Sequence, residues 1–409
     1  MGFTEILTDG SVRGGGLAFT PHLHRWGQIA PGGDQAGEKI GPSLPSFEQG
    51  NRKLNSKCGL INDHDNMSAD GHSEAERDRL GSIALDQWRG LALVMVLVSH
   101  GFYFTDRVNG IGRVGVNLFF FISGILVFRS LSRMRPATNW ERTSTFWWRR
   151  VRRLYPALLA YTIAMLPVAW LWQNQPNVPP NSDFASYIKG IPWALAYTTN
   201  YLETEPRSLG HLWSLACEMQ FYLLAPIIYL LGGAREKGKF TIFGFFLILL
   251  MGMGVTQPFI GKWKYHFEFA VWPMMLGFCC EYKRGWFHRL SNRVVSFVIY
   301  LGIAICSACS LAMLFGMEMK SVVIAAGALL LVPCLLAYLF GRPIPGIVGK
   351  IAQWFGERTY SIYLWQQPLT ICNFLPYALQ PLGALFSIAV GAASFYVFER
   401  PFLSATRHK

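Results

Sequence analysis

Arg89 and His100 stand eleven residues apart within one apolar stretch. At about 100° per residue that is three turns plus roughly 20°, so the two share a helical face, about 16 Å apart along the axis. His211 and Glu218 are seven residues apart and also share a face. Between these pairs runs Phe146-Trp147-Trp148-Arg149-Arg150-Val151-Arg152-Arg153. An imidazole can serve as a general base. A carboxylate two turns into an apolar helix needs a partner or a proton, and can orient a histidine or balance a cation. Clustered guanidiniums hold phosphates through paired hydrogen bonds. Each group also has a plainer reading. Arg89 can snorkel to an interface and His100 can cap a helix end. Glu218 can form a structural ion pair, and the arginines can mark topology or meet anionic lipid headgroups.

The elements that must position these groups are membrane helices. The 409 residues are 52% hydrophobic and only 15% charged, against roughly 25% charged in a soluble domain. Mean hydropathy is +0.26. The apolar residues fall in blocks of about twenty, the length that crosses a bilayer core. The net charge of +13 is unevenly placed. Residues 1–80 carry 8 basic and 11 acidic residues, and the remainder carries 29 and 13. The basic excess sits in short loops, which is a topology signal rather than a nucleic-acid surface.

Hydropathy predicts spans at about 84–104, 114–131, 154–172, 212–231, 240–257, 267–281, 294–316, 321–341, 359–377 and 380–398. The loop between the second and third is the most basic of the chain. It holds Arg129, Arg133, Arg135, Arg142, Arg149, Arg150, Arg152 and Arg153 against a lone Glu141. It therefore lies inside. The expected fold class is all-α, a polytopic membrane protein of about ten transmembrane helices with both ends in the cytoplasm. The Pro- and Asn-rich segment 173–190 is expected outside, and 191–202 is expected to be re-entrant or interfacial. Residues 1–82 read as a disordered, polar, cytoplasmic tail without a secretory signal peptide, and Met67 within it is a second candidate start. Residues 404–409 are a short tail on the same side.

The remaining motifs are weaker one by one. Gly115-Val116-Asn117 leads into Phe119-Phe120-Phe121-Ile122-Ser123-Gly124, where Ser123-Gly124 permits close helix approach. Gly210-His211-Leu212-Trp213-Ser214-Leu215 precedes Glu218. Thr359-Tyr360-Ser361-Ile362-Tyr363-Leu364-Trp365-Gln366 and Phe398-Glu399-Arg400-Pro401 close the series. The eight cysteines form no Cys-x-x-Cys pair beside histidines at metal-ligand spacing, so no metal is expected.

Taken in order and spacing, these blocks resemble the acyltransferase 3 family of membrane O-acyltransferases, from about residue 83 to 403. The Arg89…His100 pair is similar to that family's Arg-x10-His signature. The resemblance implies acyl transfer, with acetyl the expected group, from acyl-CoA to a carbohydrate hydroxyl. The acceptor would be a surface polysaccharide or its lipid-linked precursor. It makes His100 the base and Glu218 the orienting or charge-balancing group. Arg89, Arg149, Arg150 and Arg153 would grip the CoA phosphates. His211, Trp213, Ser214, Asn117 and Tyr363 become candidate substrate-binding residues. The sequence departs from the family where Asn117 replaces a frequent Asp and Gln366 replaces a frequent His after Leu364-Trp365. No hydrolase domain follows the last expected span, unlike in fused members. Membrane lipid is an expected partner and nucleic acid is not. The rival readings are a transporter or flippase, or a relative acting on a lipid, antibiotic or peptide.

Overall fold

The computed structural model describes residues 50–101, 109–136, 138–173, 183–203, 206–256, 265–287, 289–314, 327, 329–370 and 380–404, with side chains from Glu74 onward. The chain divides into two compact units, the smaller of residues 11–76 and the larger containing residues 77–409. Every regular element among the described residues is helical. They run α1 (Gly50–Gly101), α2 (Asn109–Arg133), α3 (Asn139–Trp172), α4 (Phe184–Leu195), α5 (Leu212–Leu231), α6 (Glu236–Thr256), α7 (Trp272–Tyr282), α8 (Asn292–Leu314), α9 (Leu331–Leu339), α10 (Gly346–Glu357), α11 (Thr359–Thr370) and α12 (Gln380–Ser394). A π-helical turn, Phe395–Glu399, continues α12.

Six helices among the described residues are long and apolar enough to cross a membrane: Glu74–Gly101, Gly110–Arg133, Asn139–Leu171, Leu212–Leu231, Glu236–Thr256 and Leu382–Phe402. They coincide with six of the ten expected spans. The expected span 267–281 is divided into a short turn of helix, Phe267–Ala270, and the 11-residue α7. The other three, at 294–316, 321–341 and 359–377, fall partly on α8, α9 and α11 and in part outside the described residues. The expected interfacial stretch 191–202 holds the end of α4 and a 3-10 turn, Thr199–Tyr201. At 12 residues, α4 is about 18 Å long, too short to cross the hydrocarbon core.

The larger unit includes Asp78, ahead of the first expected span. Asp78 on α1 accepts a hydrogen bond from Arg284 Nη2 at 2.5 Å and another from Arg133, and it lies 3.2 Å from Arg129 Nη2. One carboxylate thus ties three guanidiniums to the start of the span. Local capping is conventional. Thr138 Oγ1 accepts from the Glu141 backbone N–H at the head of α3. Asp183 does the same for α4, accepting from the hydroxyl and the backbone N–H of Ser186. Those two bonds hold the Asp183 carboxyl below the usual carboxylate range.

The most apolar window of α2 is 83% buried and that of α6 only 11%, so α2 is central and α6 peripheral. Phe245, Ile248, Leu249 and Val255 of α6 are exposed. Such a face is stable against lipid and not against water. The backbones of α2 and α7 approach closely where neither carries a side chain. A Cβ built on Gly124 would lie 1.9 Å from the Met274 carbonyl oxygen, and one on Gly277 would lie 2.1 Å from that of Phe121. The close approach expected at Ser123-Gly124 is thus made to α7. Gly277→Val should force the two helices apart at a cost of about 1–3 kcal/mol. That would appear as a lower melting temperature in size-exclusion profiles of the heated, detergent-purified protein. Gly244, with nothing within 4 Å, should tolerate alanine.

Candidate functional site

A partly open cavity lies among α1, α2, α3, α5 and α11. It is lined by Arg89 of α1, Ser123 of α2, Arg150 and Arg153 of α3, Ser214, Glu218 and Tyr222 of α5, and Thr359, Tyr360 and Tyr363 of α11, with apolar side chains between them. Helix contacts place the arginine of α1. A Cβ on Gly90 would lie 1.8 Å from the Ala352 carbonyl oxygen, and one on Gly356 the same distance from that of Asp86. Two glycines therefore let α1 and α10 touch at the turn that bears Arg89.

Charge at this site is buried and balanced. Arg89, Arg150 and Arg153 are each no more than 6% exposed. Arg89 pairs with Asp86 at 3.7 Å and interacts electrostatically with Glu218. The Arg150 guanidinium lies over the rings of Tyr222 and Phe146, at 4.7 and 5.0 Å from their centroids. Glu218 accepts hydrogen bonds from Ser123 Oγ at 2.5 Å and from Tyr222. Glu399, also buried, accepts one from Ser361 and faces Arg153 and Arg89 electrostatically. Asp86 and Glu399 do not line the cavity, which itself meets three guanidiniums and the single carboxylate of Glu218.

The two histidines lie beyond Ser214 and Tyr363. These hydroxyls lie 2.6 Å apart and 3.3 and 3.1 Å from the His211 carbonyl oxygen, so one donates to that carbonyl while the other donates to its neighbouring hydroxyl. His211 is buried and its Nε2–H donates to the Leu364 carbonyl oxygen at 2.9 Å. His100, half-buried at the end of α1, hydrogen-bonds through Nδ1 to Oε1 of Gln366. His211 faces His100 electrostatically.

The structure therefore brings Arg89, Arg150, Arg153, Ser214, Glu218 and Tyr363 to one cavity and sets His100 and His211 beside α11. Arg149 and Asn117 are half-buried and do not line the cavity. Trp213 lies outside it too, under the Arg113 guanidinium at 5.0 Å and against Tyr265. The hydrogen-bond partners of Glu218 are Ser123 and Tyr222 rather than a histidine, which favours charge balance over histidine orientation. Three residues that matter here are absent from the sequence candidates. Tyr222 follows Glu218 at the i+4 spacing at which side chains meet on a helix, so its part was readable. Glu399 and Gln366 act across long sequence separations. Among the described residues, no group of three or more His, Cys, Asp or Glu is placed to hold a metal ion.

Removal of the carboxylate should be costly. Glu218→Ala strands the arginine charge of the cluster and should lose about 3–5 kcal/mol. Glu218→Gln, which still accepts from Ser123, should lose less. Thermal denaturation of the purified proteins in detergent, with equal stability of the two variants as the contrary result, checks this.

Comparison with known proteins agrees with the motifs. The family model described as an acyltransferase domain, that of the acyltransferase 3 family, matches residues 82–399. YrhL of Bacillus subtilis (strain 168), provisionally named a peptidoglycan O-acetyltransferase, is 25% identical over 332 residues, which is 71% of this chain and 48% of YrhL. The O-acetyltransferase OatA of Staphylococcus aureus (strain NCTC 8325 / PS 47) is 30% identical over 176 residues, 42% of this chain and 28% of OatA. The chain thus spans less than half the length of these curated relatives. No solved structure matches it.

Proposed function

The chain belongs to the acyltransferase 3 family, and from that premise we propose that it moves an acetyl group from acetyl-CoA to a hydroxyl of a carbohydrate. The acceptor in this reading is a cell-surface glycan or its lipid-linked precursor. The names of YrhL and OatA support O-acetylation, and that of YrhL supports a glycan acceptor. In this reading the protein is multi-pass in the plasma membrane, with both chain ends on the cytoplasmic side.

One observation carries the proposal: three buried arginines and one carboxylate face a cavity that Ser214 and Tyr363 also line, and those two hydroxyls lie against the backbone of His211 while α11, which bears Tyr363, also bears the Gln366 that bonds His100. Acyl transfer from a thioester to an alcohol needs a base for the hydroxyl and stabilisation of the oxyanion. It also needs a hold on the charged end of CoA. Arg89, Arg150 and Arg153 supply that hold, since guanidiniums pair with phosphate oxygens in a fixed fork. The thioester lies at the other end of the extended pantetheine arm. His100, about 16 Å along α1 from Arg89, takes the proton of the acceptor hydroxyl. The alcohol oxygen then attacks the thioester carbonyl, the C–S bond breaks, and CoA leaves as the thiol. Glu218 balances the arginine charge when the donor is absent.

His100 and Arg89 should therefore fail in different ways. In membranes with matched protein abundance, His100→Ala should lower transfer of labelled acetyl from acetyl-CoA into envelope glycan by about 10²–10⁴-fold, with the donor KM little changed. Arg89→Lys keeps the charge and loses the fork, so it should raise the donor KM more than it lowers kcat. Near wild-type turnover in His100→Ala would move the base elsewhere, with His211 the first residue to test. Unchanged transfer in both variants, with failed export of a glycan, would favour a flippase.

A further inference from the structure

We propose that Gln366 is a positioning residue that fixes the tautomer of His100, accepting the Nδ1 proton so that the Nε2 lone pair is left for the acceptor hydroxyl. This rests on the reading of His100 as the base.

The geometry is specific. Gln366 is fully buried, at 0% exposure, and its Oε1 meets His100 Nδ1 across 266 residues of sequence. With its carboxamide oxygen on the ring Gln366 accepts, so the hydrogen on that bond belongs to the imidazole and a neutral ring carries its lone pair on Nε2, while the amide nitrogen of Gln366 is buried with no hydrogen-bond partner among the described residues. The backbone that carries Gln366 is itself tied, since Thr370 Oγ1 donates to the Gln366 carbonyl oxygen at 2.7 Å. The same helix holds the other histidine, because Leu364, two residues earlier, accepts from His211 Nε2–H. One short helix, α11, thus sets both imidazoles, one through a side chain and one through a backbone carbonyl. Among the described residues, His211 is the titratable group that faces His100.

An amide in this place has a chemical consequence. A carboxylate that accepts from Nδ1 also stabilises the imidazolium, because an opposite charge favours the charged form. A neutral amide fixes the same tautomer without doing so. The base therefore stays unprotonated to lower pH than it would beside a carboxylate. Gln366→Glu keeps the acceptor and adds the charge, while Gln366→Leu removes the acceptor and nearly keeps the volume.

The test uses two readouts on the full chain. In detergent-purified protein, carbethoxylation of His100 by diethyl pyrocarbonate is followed against pH by mass spectrometry of its peptide, since the reagent attacks the neutral ring. The Gln366→Glu midpoint should lie about one unit or more above wild type. In membranes supplied with labelled acetyl-CoA, the acid limb of the transfer rate should move upward with it, with turnover retained above that limb. Gln366→Leu should lower kcat by more than about tenfold and leave the donor KM unchanged. A coincident modification midpoint in wild type and Gln366→Glu would overturn the inference, as would wild-type kcat in Gln366→Leu. If Gln366→Glu does not fold, the kcat against KM result for Gln366→Leu decides alone. A shifted midpoint with full activity in His100→Ala would instead retain the contact and reject His100 as base.

Discussion

A guanidinium inside a membrane protein must be paired or it prevents folding. Three of them, Arg89, Arg150 and Arg153, are buried here around one cavity, and the rest of the larger unit is arranged to make that tolerable. Asp86 and Glu218 bring opposing charge from α1 and α5, and Glu399, on the π-helical turn after α12, faces Arg153 and Arg89. The rings of Phe146 and Tyr222 cover Arg150. The helices that deliver these groups can converge because glycines remove the side chains that would keep them apart, Gly90 and Gly356 at α1–α10 and Gly124 and Gly277 at α2–α7. Packing, charge and cavity are one arrangement, and a change to any of them should disturb the others.

The surroundings of the two histidines are built differently. Around the arginines the interactions are ionic, whereas around His100 and His211 they are neutral hydrogen bonds to Gln366, Leu364, Ser214 and Tyr363. The difference suits the two proposed tasks. A cluster of ionised groups holds a polyanion. A base has to remain unprotonated, and charged neighbours would bias it. The Ser214–Tyr363 pair belongs to both regions, lining the cavity and holding the His211 backbone. Through it the arginine cavity and the His211 backbone are joined.

Much of this was legible in the sequence, because α-helical periodicity is local. The Arg89–His100 and His211–Glu218 spacings, the arginines of the third apolar stretch and the small residues at Ser123-Gly124 all lie within single helices. Six expected spans meet long apolar helices for the same reason. What periodicity does not reveal is which faces meet. Gln366 read as a departure from a family pattern, and only the packing of α11 on the end of α1 shows it on His100. Glu399 read as a closing motif, and it reaches the arginines because the helix it follows folds back onto α11. Asp78 read as part of a polar tail, yet three arginines from distant sequence converge on it. Arg149 sits one residue from Arg150, about 100° around the helix, and so misses the cavity that Arg150 lines.

The most direct measurement is binding of radiolabelled CoA to the purified full-length chain in detergent, without turnover. The buried arginine cavity predicts saturable binding that Arg150→Met weakens by about tenfold or more, the loss of one charge-assisted bond of roughly 1.5–3 kcal/mol. It also predicts that His100→Ala binds as wild type does. Equal affinity in wild type and Arg150→Met, with both proteins folded, would contradict the assignment of the arginine cavity to the acyl donor.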